Sequence, residues 1–244
     1  MMRLVTWNTR GFAAPEVVRS LHADVAILTE TPERTVAAFA PNALWRGGPT
    51  ASPRRKPTGV AVVGFGGWSV EPLPAVTDHP VFLPFRAVRG DEALQVVGCC
   101  VRKGHTGSVA RTRTGIAAID DLAPSLDRER CIWAGDFNMH GVGGGLARSR
   151  PFFAHIRALG LRSVWHAERR EELGRESRRT FRNHYGEFTI DYVLTPPGVT
   201  WTSVDIGQFA AYEKHSDHVP ITVTLSPSGA DRSQPPAPVD RFPG

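Results

Sequence analysis

The feature that most constrains this chain is a series of short apolar runs that end in polar or charged residues. Arg3–Trp7 runs into Trp7-Asn8-Thr9-Arg10-Gly11, Ile27-Leu28-Thr29 ends at Glu30, and Cys131–Ala134 leads into Gly135-Asp136-Phe137-Asn138. Asp191 lies within Ile190-Asp191-Tyr192-Val193-Leu194, and Ser216-Asp217-His218-Val219-Pro220 opens the last run, Pro220–Leu225. Alternating runs such as Arg3–Trp7 read as strands, and a continuous one such as Val25–Thr29 reads as a strand buried on both faces. A sheet edge collects whatever stands at its strand ends. Packing does not require these polar residues there.

The rest of the chain fills in around those runs. Further strands are predicted at Gly59–Gly64, Phe85–Arg89, Leu94–Val101, Phe188–Leu194 and Thr200–Ile206, with Arg89-Gly90-Asp91-Glu92 as a hairpin turn. Helical spacing predicts helices at Pro15–His22, Pro32–Phe39, Thr114–Leu126 and Phe152–Leu159, the first with its Pro in the tolerated first turn. Gly47–Pro57 is a Pro/Gly loop carrying Arg54, Arg55 and Lys56. Strands outnumber helices, and the helices are scattered between strand groups. This pattern predicts an α/β fold of two packed mixed sheets flanked by helices, in one domain over residues 1–225. The Pro/Ser/Gly-rich segment 226–244 has no periodicity and is expected to be disordered.

Composition limits the classes. With 41% hydrophobic and 22% charged residues, 244 residues form an ordinary globular core, which excludes collagen, coiled coil and wholesale disorder. The net charge of +5 comes almost entirely from arginine, since Lys56, Lys103 and Lys214 are the only lysines. Guanidinium forks suit phosphate and carboxylate oxygens, so anionic partners are favoured; codon bias in a GC-rich genome would give the same excess. Cys99, Cys100 and Cys131 form no CxxC clip and no even-numbered framework, and are expected as buried, reduced thiols of a cytoplasmic protein. No run is long enough to span a bilayer.

The polar residues then decide the chemistry. A carboxylate flanked by Ile190, Tyr192 and Val193 is costly to bury alone, so Asp191 needs a cation, a histidine or a metal. In Gly-Asp-Phe-Asn, an extended backbone aims Asp136 and Asn138 to one side and Phe137 to the other. Asn8, Glu30 and Asp217 offer the carboxylate and amide oxygens that hard divalent cations prefer. A zinc site would draw on clustered His and Cys, and the histidines here are dispersed. Taken singly, each has a plainer reading: Asn8 as a turn residue, Glu30 as a first-turn acid, Asp136 and Asn138 in Asx turns, His218 as a core histidine. No Gly-x-x-x-x-Gly-Lys loop or GxSxG elbow occurs, which removes support for nucleotide kinases and serine hydrolases.

As an ordered set, TWNTRG, ILTE, GDFN, IDYVL and SDHVP resemble the endonuclease/exonuclease/phosphatase superfamily, which includes exonuclease III-like and DNase I-like enzymes. The resemblance spans residues 3 to about 225 and implies a four-layer sandwich with a site at one sheet edge. It also implies Mg²⁺- or Mn²⁺-dependent phosphoester hydrolysis. In those terms Glu30 is the principal metal ligand, with Asn8 and Asp217 completing the shell. Asp136 orients or deprotonates the attacking water, and Asn138 positions Asp136 or bonds a phosphate oxygen. His218 stabilises phosphoryl charge or shuttles a proton, with Asp191 fixing its tautomer.

The chain departs from the family pattern where a Thr-His pair or a Tyr contacts the phosphate. Here Cys99 or Cys100 takes that place, and Arg102 or His105 would have to supply the missing substrate contact; His140, just after Gly-Asp-Phe-Asn, is expected near the site or on its rim, as a further substrate-binding candidate. The expected activity is that of a phosphodiesterase or nuclease acting on DNA as a monomer without membrane insertion. The alternatives are a phosphoesterase for a small molecule, nucleotide or lipid headgroup, and a catalytically impaired binding protein of the same fold. Arg54-Arg55-Lys56 and Arg169–Arg182 could track a phosphate backbone, although the acidic residues interleaved in the second suit a solvated helix face equally.

Overall fold

In the computed structural model, which describes residues 1–11, 14–48, 57–74, 79, 82–101 and 108–226, β1 (Met2–Asn8) lies in the interior of the first of two six-stranded sheets. Its parallel neighbour is β2 (Val25–Pro32), reached through α1 (Pro15–Arg19). After α2 (Glu33–Ala37), the strands β3 (Ala43–Gly48) and β4 (Thr58–Gly64) extend that side of the sheet. The second sheet begins with β5 (Ser69–Pro72), β6 (Phe82–Arg89) and β7 (Glu92–Cys100). Then α3 (Ser108–Leu122) crosses to β8 (Ile132–Asp136), which pairs parallel with β7, and α4 (Gly144–Ala158) comes next. The short β9 (Arg162–Ser163) and α5 (Val164–Arg169) precede a two-stranded ribbon, β10 (Phe181–Asn183) and β11 (Gly186–Phe188). The chain re-enters the second sheet as β12 (Asp191–Thr195), then returns to the first as β13 (Trp201–Ile206) and, after α6 (Phe209–Tyr212), β14 (Ile221–Leu225). The orders are β13-β14-β1-β2-β4-β3 and β5-β6-β7-β8-β12-β9.

Alternation along the strands sorts the core into three clusters. Leu4, Ile27, Val60, Val96, Cys100, Ala134, Val193 and Val223 fill the space between the sheets. Val97, Cys99, Trp133 and Tyr192 point the other way, onto Ile119 and Leu122 of α3 and Phe152 of α4. Val5, Trp7, Ala26 and Leu28 meet Val18 of α1 and Val36 of α2. Each central strand is therefore apolar on both faces, which explains its continuous hydrophobic reading. The result is the expected four-layer arrangement of two mixed sheets flanked by helices.

Several boundaries differ from expectation for identifiable reasons. β2 does not stop at Glu30: its pairing with β4 slips between Leu28 and Thr31 and resumes at Thr31↔Gly59 and Pro32↔Thr58. β6 runs through Pro84, and β3 and β5 are not signalled by the sequence pattern. The predicted strand Phe188–Leu194 is two elements, because Thr180 Oγ1 accepts from both the Ile190 and Asp191 amides (3.1 Å each) and takes that corner out of the ladder. Asp191 is thus the first residue of β12, not a mid-strand position. The solvated helix face expected over Arg169–Arg182 is also corrected. α5 ends at Arg169, and the chain continues as turn and loop into the ribbon.

The loop's organiser is Glu176, whose side chain is 1% exposed. Its Oε1 accepts from the Gly174 amide (2.9 Å) and meets His166 Nε2 (3.2 Å); Arg179 pairs with its other oxygen, and Ser163 Oγ holds His166 Nδ1 at 2.8 Å. Burial alone would raise the Glu176 carboxyl, but the hydrogen bonds from His166 and Gly174, with the charge on His166, hold it below its usual value. A depressed carboxylate stabilises the fold above its unfolded pKa, about 4.3, and that contribution is lost as pH falls through the folded value. Glu176→Gln is therefore expected to cost about 3 kcal/mol at neutral pH. The cost should shrink on acidification, since the wild type loses this contribution and the variant has none to lose. Urea unfolding of both proteins across that range tests this; a difference independent of pH would refute the assignment.

The predicted disordered segment, apart from Ser226, and the Arg54-Arg55-Lys56 loop lie outside the described residues. All three cysteines are buried and none forms a disulfide. No helix among the described residues is long and apolar enough to cross a membrane.

Candidate active site

Strand register builds the site. Cys100 of β7 stands opposite Asp136 of β8, and Asp136 stands opposite Asp191 of β12, so three side chains share one row at an edge of the second sheet. Asn8 closes β1 on the facing sheet, and Glu30 projects from the irregularity in β2. Extra residues in such a bulge re-aim a side chain, and Glu30 takes φ +52° to do so, a conformation costing an ordinary residue about 1 kcal/mol or more. Gly135 must be glycine: its φ is +146°, and a Cβ there would lie 1.8 Å from the Cys99 carbonyl oxygen.

Asp136 is the hub. Its Oδ2 accepts from Asn8 Nδ2 and Asn138 Nδ2, both at 2.9 Å, and its Oδ1 accepts from the Asn138 amide at 2.9 Å. The Asp-Phe-Asn turn thus puts both polar groups on one side, with Phe137 buried on the other, as the spacing predicted. Asn138 reaches this with φ +54°, a left-handed position that Asn tolerates, and not with an extended backbone. Its Nδ2 also donates to the Val101 carbonyl (2.9 Å), and its Oδ1 accepts from Arg111 of α3 (3.2 Å). Arg111 is half-buried; burial lowers its pKa, Asp136 opposes that, and Arg148 adds to it. Nothing in the sequence distinguishes Arg111 from the other arginines.

Asp191 and His218 form a buried pair, Oδ2 to Nδ1, at 2.8 Å. The imidazole packs on Phe181 with ring centroids 4.6 Å apart, and its amide donates to Ser216 Oγ. Burial works against a charged His218, but the charge and hydrogen bond of Asp191, with Asp136 and Asp217, together push its pKa up to about 9. Its Nδ1 therefore carries a proton toward Asp191 at neutral pH. Burial, Asp191 and Glu30 push Asp136 up to about 8, while His218 and Asn8 oppose them.

Two groups of ligand atoms, each within 4.8 Å of one another, share Asp136: Glu30 with Cys100, and Asp191 with His218. Asp191 Oδ1 is buried with no hydrogen-bond partner among the described residues. A crowd of acidic oxygens with one left unpaired fits a divalent cation, so these residues could hold one. Asp217 belongs to neither group; its Oδ2 pairs with Arg10 at 3.0 Å, at the rim. The Asn8 side chain is engaged at both ends, since its Oδ1 accepts from the Arg10 amide. His140 packs on Phe188 and over Gly145, where a Cβ would lie 1.9 Å from its ring, and Nδ1 accepts from the Val142 amide. Burial, with the charges of Arg148 and Arg111, lowers its pKa. Arg102 and His105 lie outside the described residues. Of the two thiols expected at the departure from the family pattern, Cys100 faces the site and Cys99 faces the helices.

Acidic, amide and imidazole groups thus converge from β1, β2, β8, β12 and the segment before β14 at one edge of the two-sheet sandwich. Residues 5–218 match the model of the Endonuclease/Exonuclease/phosphatase family, and the chain belongs to that family. No curated protein matches it. Among solved structures, AP endonuclease LMAP from Leishmania major is similar at 14% identity and a TM-score of 0.69, over 93% of this chain and 88% of that one. An endonuclease/exonuclease/phosphatase from Beutenbergia cavernae is 17% identical with a TM-score of 0.66, over 94% and 72%. D. rerio TDP2 complexed with single strand DNA product is 16% identical with a TM-score of 0.60, over 92% and 98%.

Proposed function

We propose that the chain is a divalent-metal-dependent hydrolase of phosphoester bonds, a phosphodiesterase or nuclease acting on DNA. The observation that carries this reading is the meeting of the Asp191–His218 pair with Asp136 and Glu30 at one sheet edge. His218 Nδ1 is committed to Asp191, and Nε2 has no partner among the described residues, so Nε2–H is available to a phosphoryl oxygen. Asp136, whose basicity is raised, accepts the proton of the attacking water, and Asn8 and Asn138 fix its orientation. Glu30 would hold the cation, Mg²⁺ or Mn²⁺, with Asn8 supporting it, and Asp217 would join them on leaving its pair with Arg10 at the rim. When bound, the cation screens charge on the phosphoryl group and the leaving oxygen.

The DNA preference is supported by a groove of about 540 Å³ beside Asp217, where Arg10, Arg182, Lys214, His215 and Phe209 stand with Glu213, Arg10 being paired with Asp217 and Arg182 with Glu187. Arg182 stacks on Phe209 at 4.3 Å, which sets a cation and an aromatic ring side by side, a combination that single-strand binding surfaces use. The similar folds of an AP endonuclease and of TDP2 complexed with single strand DNA product agree with that class. Purified protein should be offered plasmid, single-stranded, abasic and RNA substrates and phosphomonoesters in Mg²⁺ or Mn²⁺. Cleavage of DNA that EDTA abolishes is expected. Phosphate release from monoesters with DNA left intact would replace this reading with a small-molecule phosphoesterase, and metal binding without turnover would make the chain a binding protein.

A further inference from the structure

Cys100 occupies a position that the proposed mechanism leaves unused. Its Sγ, a Glu30 carboxylate oxygen and an Asp136 carboxylate oxygen come from three separate strands, yet all lie within 4.8 Å of one another. The register fixes this placement, because Cys100 is level with Asp136 across the parallel β7–β8 pair and points between the sheets. A second observation is independent of the thiol: Asp191, only 1% exposed and grouped with His218 on the other side of Asp136, has an Oδ1 with no hydrogen-bond partner among the described residues. Buried acceptors left in that condition call for a cation. Glu30 is only half-buried and marks the side from which an ion can enter.

We propose that Cys100 is a thiolate ligand to the cation held by Glu30, so that the centre binds a sulfur-seeking divalent ion of the Zn²⁺ or Co²⁺ type more tightly than Mg²⁺. The proposal rests on the reading of this edge as a metal centre and specifies which metal it selects. Carboxylate sites already bind Zn²⁺ and Co²⁺ more tightly than Mg²⁺, and a thiolate, from which hard ions gain little, widens that margin. On binding, the Sγ–H bond breaks, the proton passes to the buffer, and the sulfur lone pair forms the bond to the metal. The dispersed histidines argued against zinc in the sequence, but the fold places a cysteine among the acids instead. Glu30, Cys100 and Asp136 offer the mixed oxygen and sulfur donors that such an ion accepts.

Co²⁺ titration of the full chain tests this, because a thiolate bound to Co²⁺ gives a near-ultraviolet charge-transfer band that carboxylates do not give. The wild type should develop the band to one equivalent, lose it when Zn²⁺ is added, and retain it in a large excess of Mg²⁺. Cys100→Ser and Cys100→Ala should show no band and bind Zn²⁺ at least about tenfold more weakly. Cys99→Ala, on the helix-facing side of the same strand, should keep the band. Stoichiometric Co²⁺ binding without the band, or a band that survives in both Cys100 variants, overturns the proposal while leaving the metal centre standing. Failure of the wild type to bind Co²⁺, Mn²⁺ or Mg²⁺ overturns both.

Discussion

Replacing His218 with alanine is expected to lower turnover by about three orders of magnitude while binding of the divalent cation changes little. The imidazole is positioned from three directions: Asp191 on Nδ1, Phe181 against the ring, and Ser216 on its amide. That arrangement leaves Nε2 as the group able to reach a substrate. With a pKa of about 9, His218 remains cationic throughout the neutral range. Wild-type activity should therefore fall above about pH 9, as the cation is lost, and the variant should lack that limb. His218→Gln, which keeps a donor, guards against the cost of leaving Asp191 buried without its partner. The measurements are kcat and isothermal calorimetry with Mn²⁺. Collapse of cation binding in either variant would make His218 a ligand and reverse its assigned role.

Asp136→Asn is expected to remove at least about three orders of magnitude from turnover, with the protein still folded. Part of the loss is the base itself. The remainder comes from hydrogen-bond direction: both carboxylate oxygens accept from N–H groups, so an amide at this position must turn its own N–H₂ toward Asn8 and Asn138 or toward the Asn138 backbone. Either choice sets donor against donor and displaces the neighbours by a few tenths of an ångström or more. The same change relieves the crowding of Asp136 against Asp191 and Glu30, so the melting temperature should change far less than the rate. Cleavage that survives both Asp136→Asn and EDTA would reject the mechanism.

The sequence made the site legible where strand ends carry their own direction. Asn8 closes β1, and the Asp-Phe-Asn spacing placed Asp136 and Asn138 on one side and Phe137 on the other, although Asn138 gets there through a left-handed backbone and not by strand alternation. The cost of burying an unpartnered carboxylate required some partner for Asp191, a cation, a histidine or a metal, and the family resemblance is what pointed to His218. The features that stayed hidden depend on register or on distant partners. Whether Cys99 or Cys100 faces the site depends on how β7 is set against β8, which no local pattern encodes. The bulge that turns Glu30 depends on β4. Arg111 enters from a helix that carries no mark of its role. The loop after α5 resembled a solvated face because Glu176 finds His166 only once the chain has folded back.

The indole of Trp7 donates to the His218 carbonyl, and Ser216 Oγ donates to the Asn8 carbonyl, across 211 and 208 residues of sequence. β1 and β14 lie side by side, yet they leave the ribosome at opposite ends of the domain's synthesis. Until β14 is made, β1 lacks one of its two strand neighbours, and Asp136 and Asp191 are synthesised before the imidazole. The site is therefore completed only when the segment that carries His218 joins the sheet through β14.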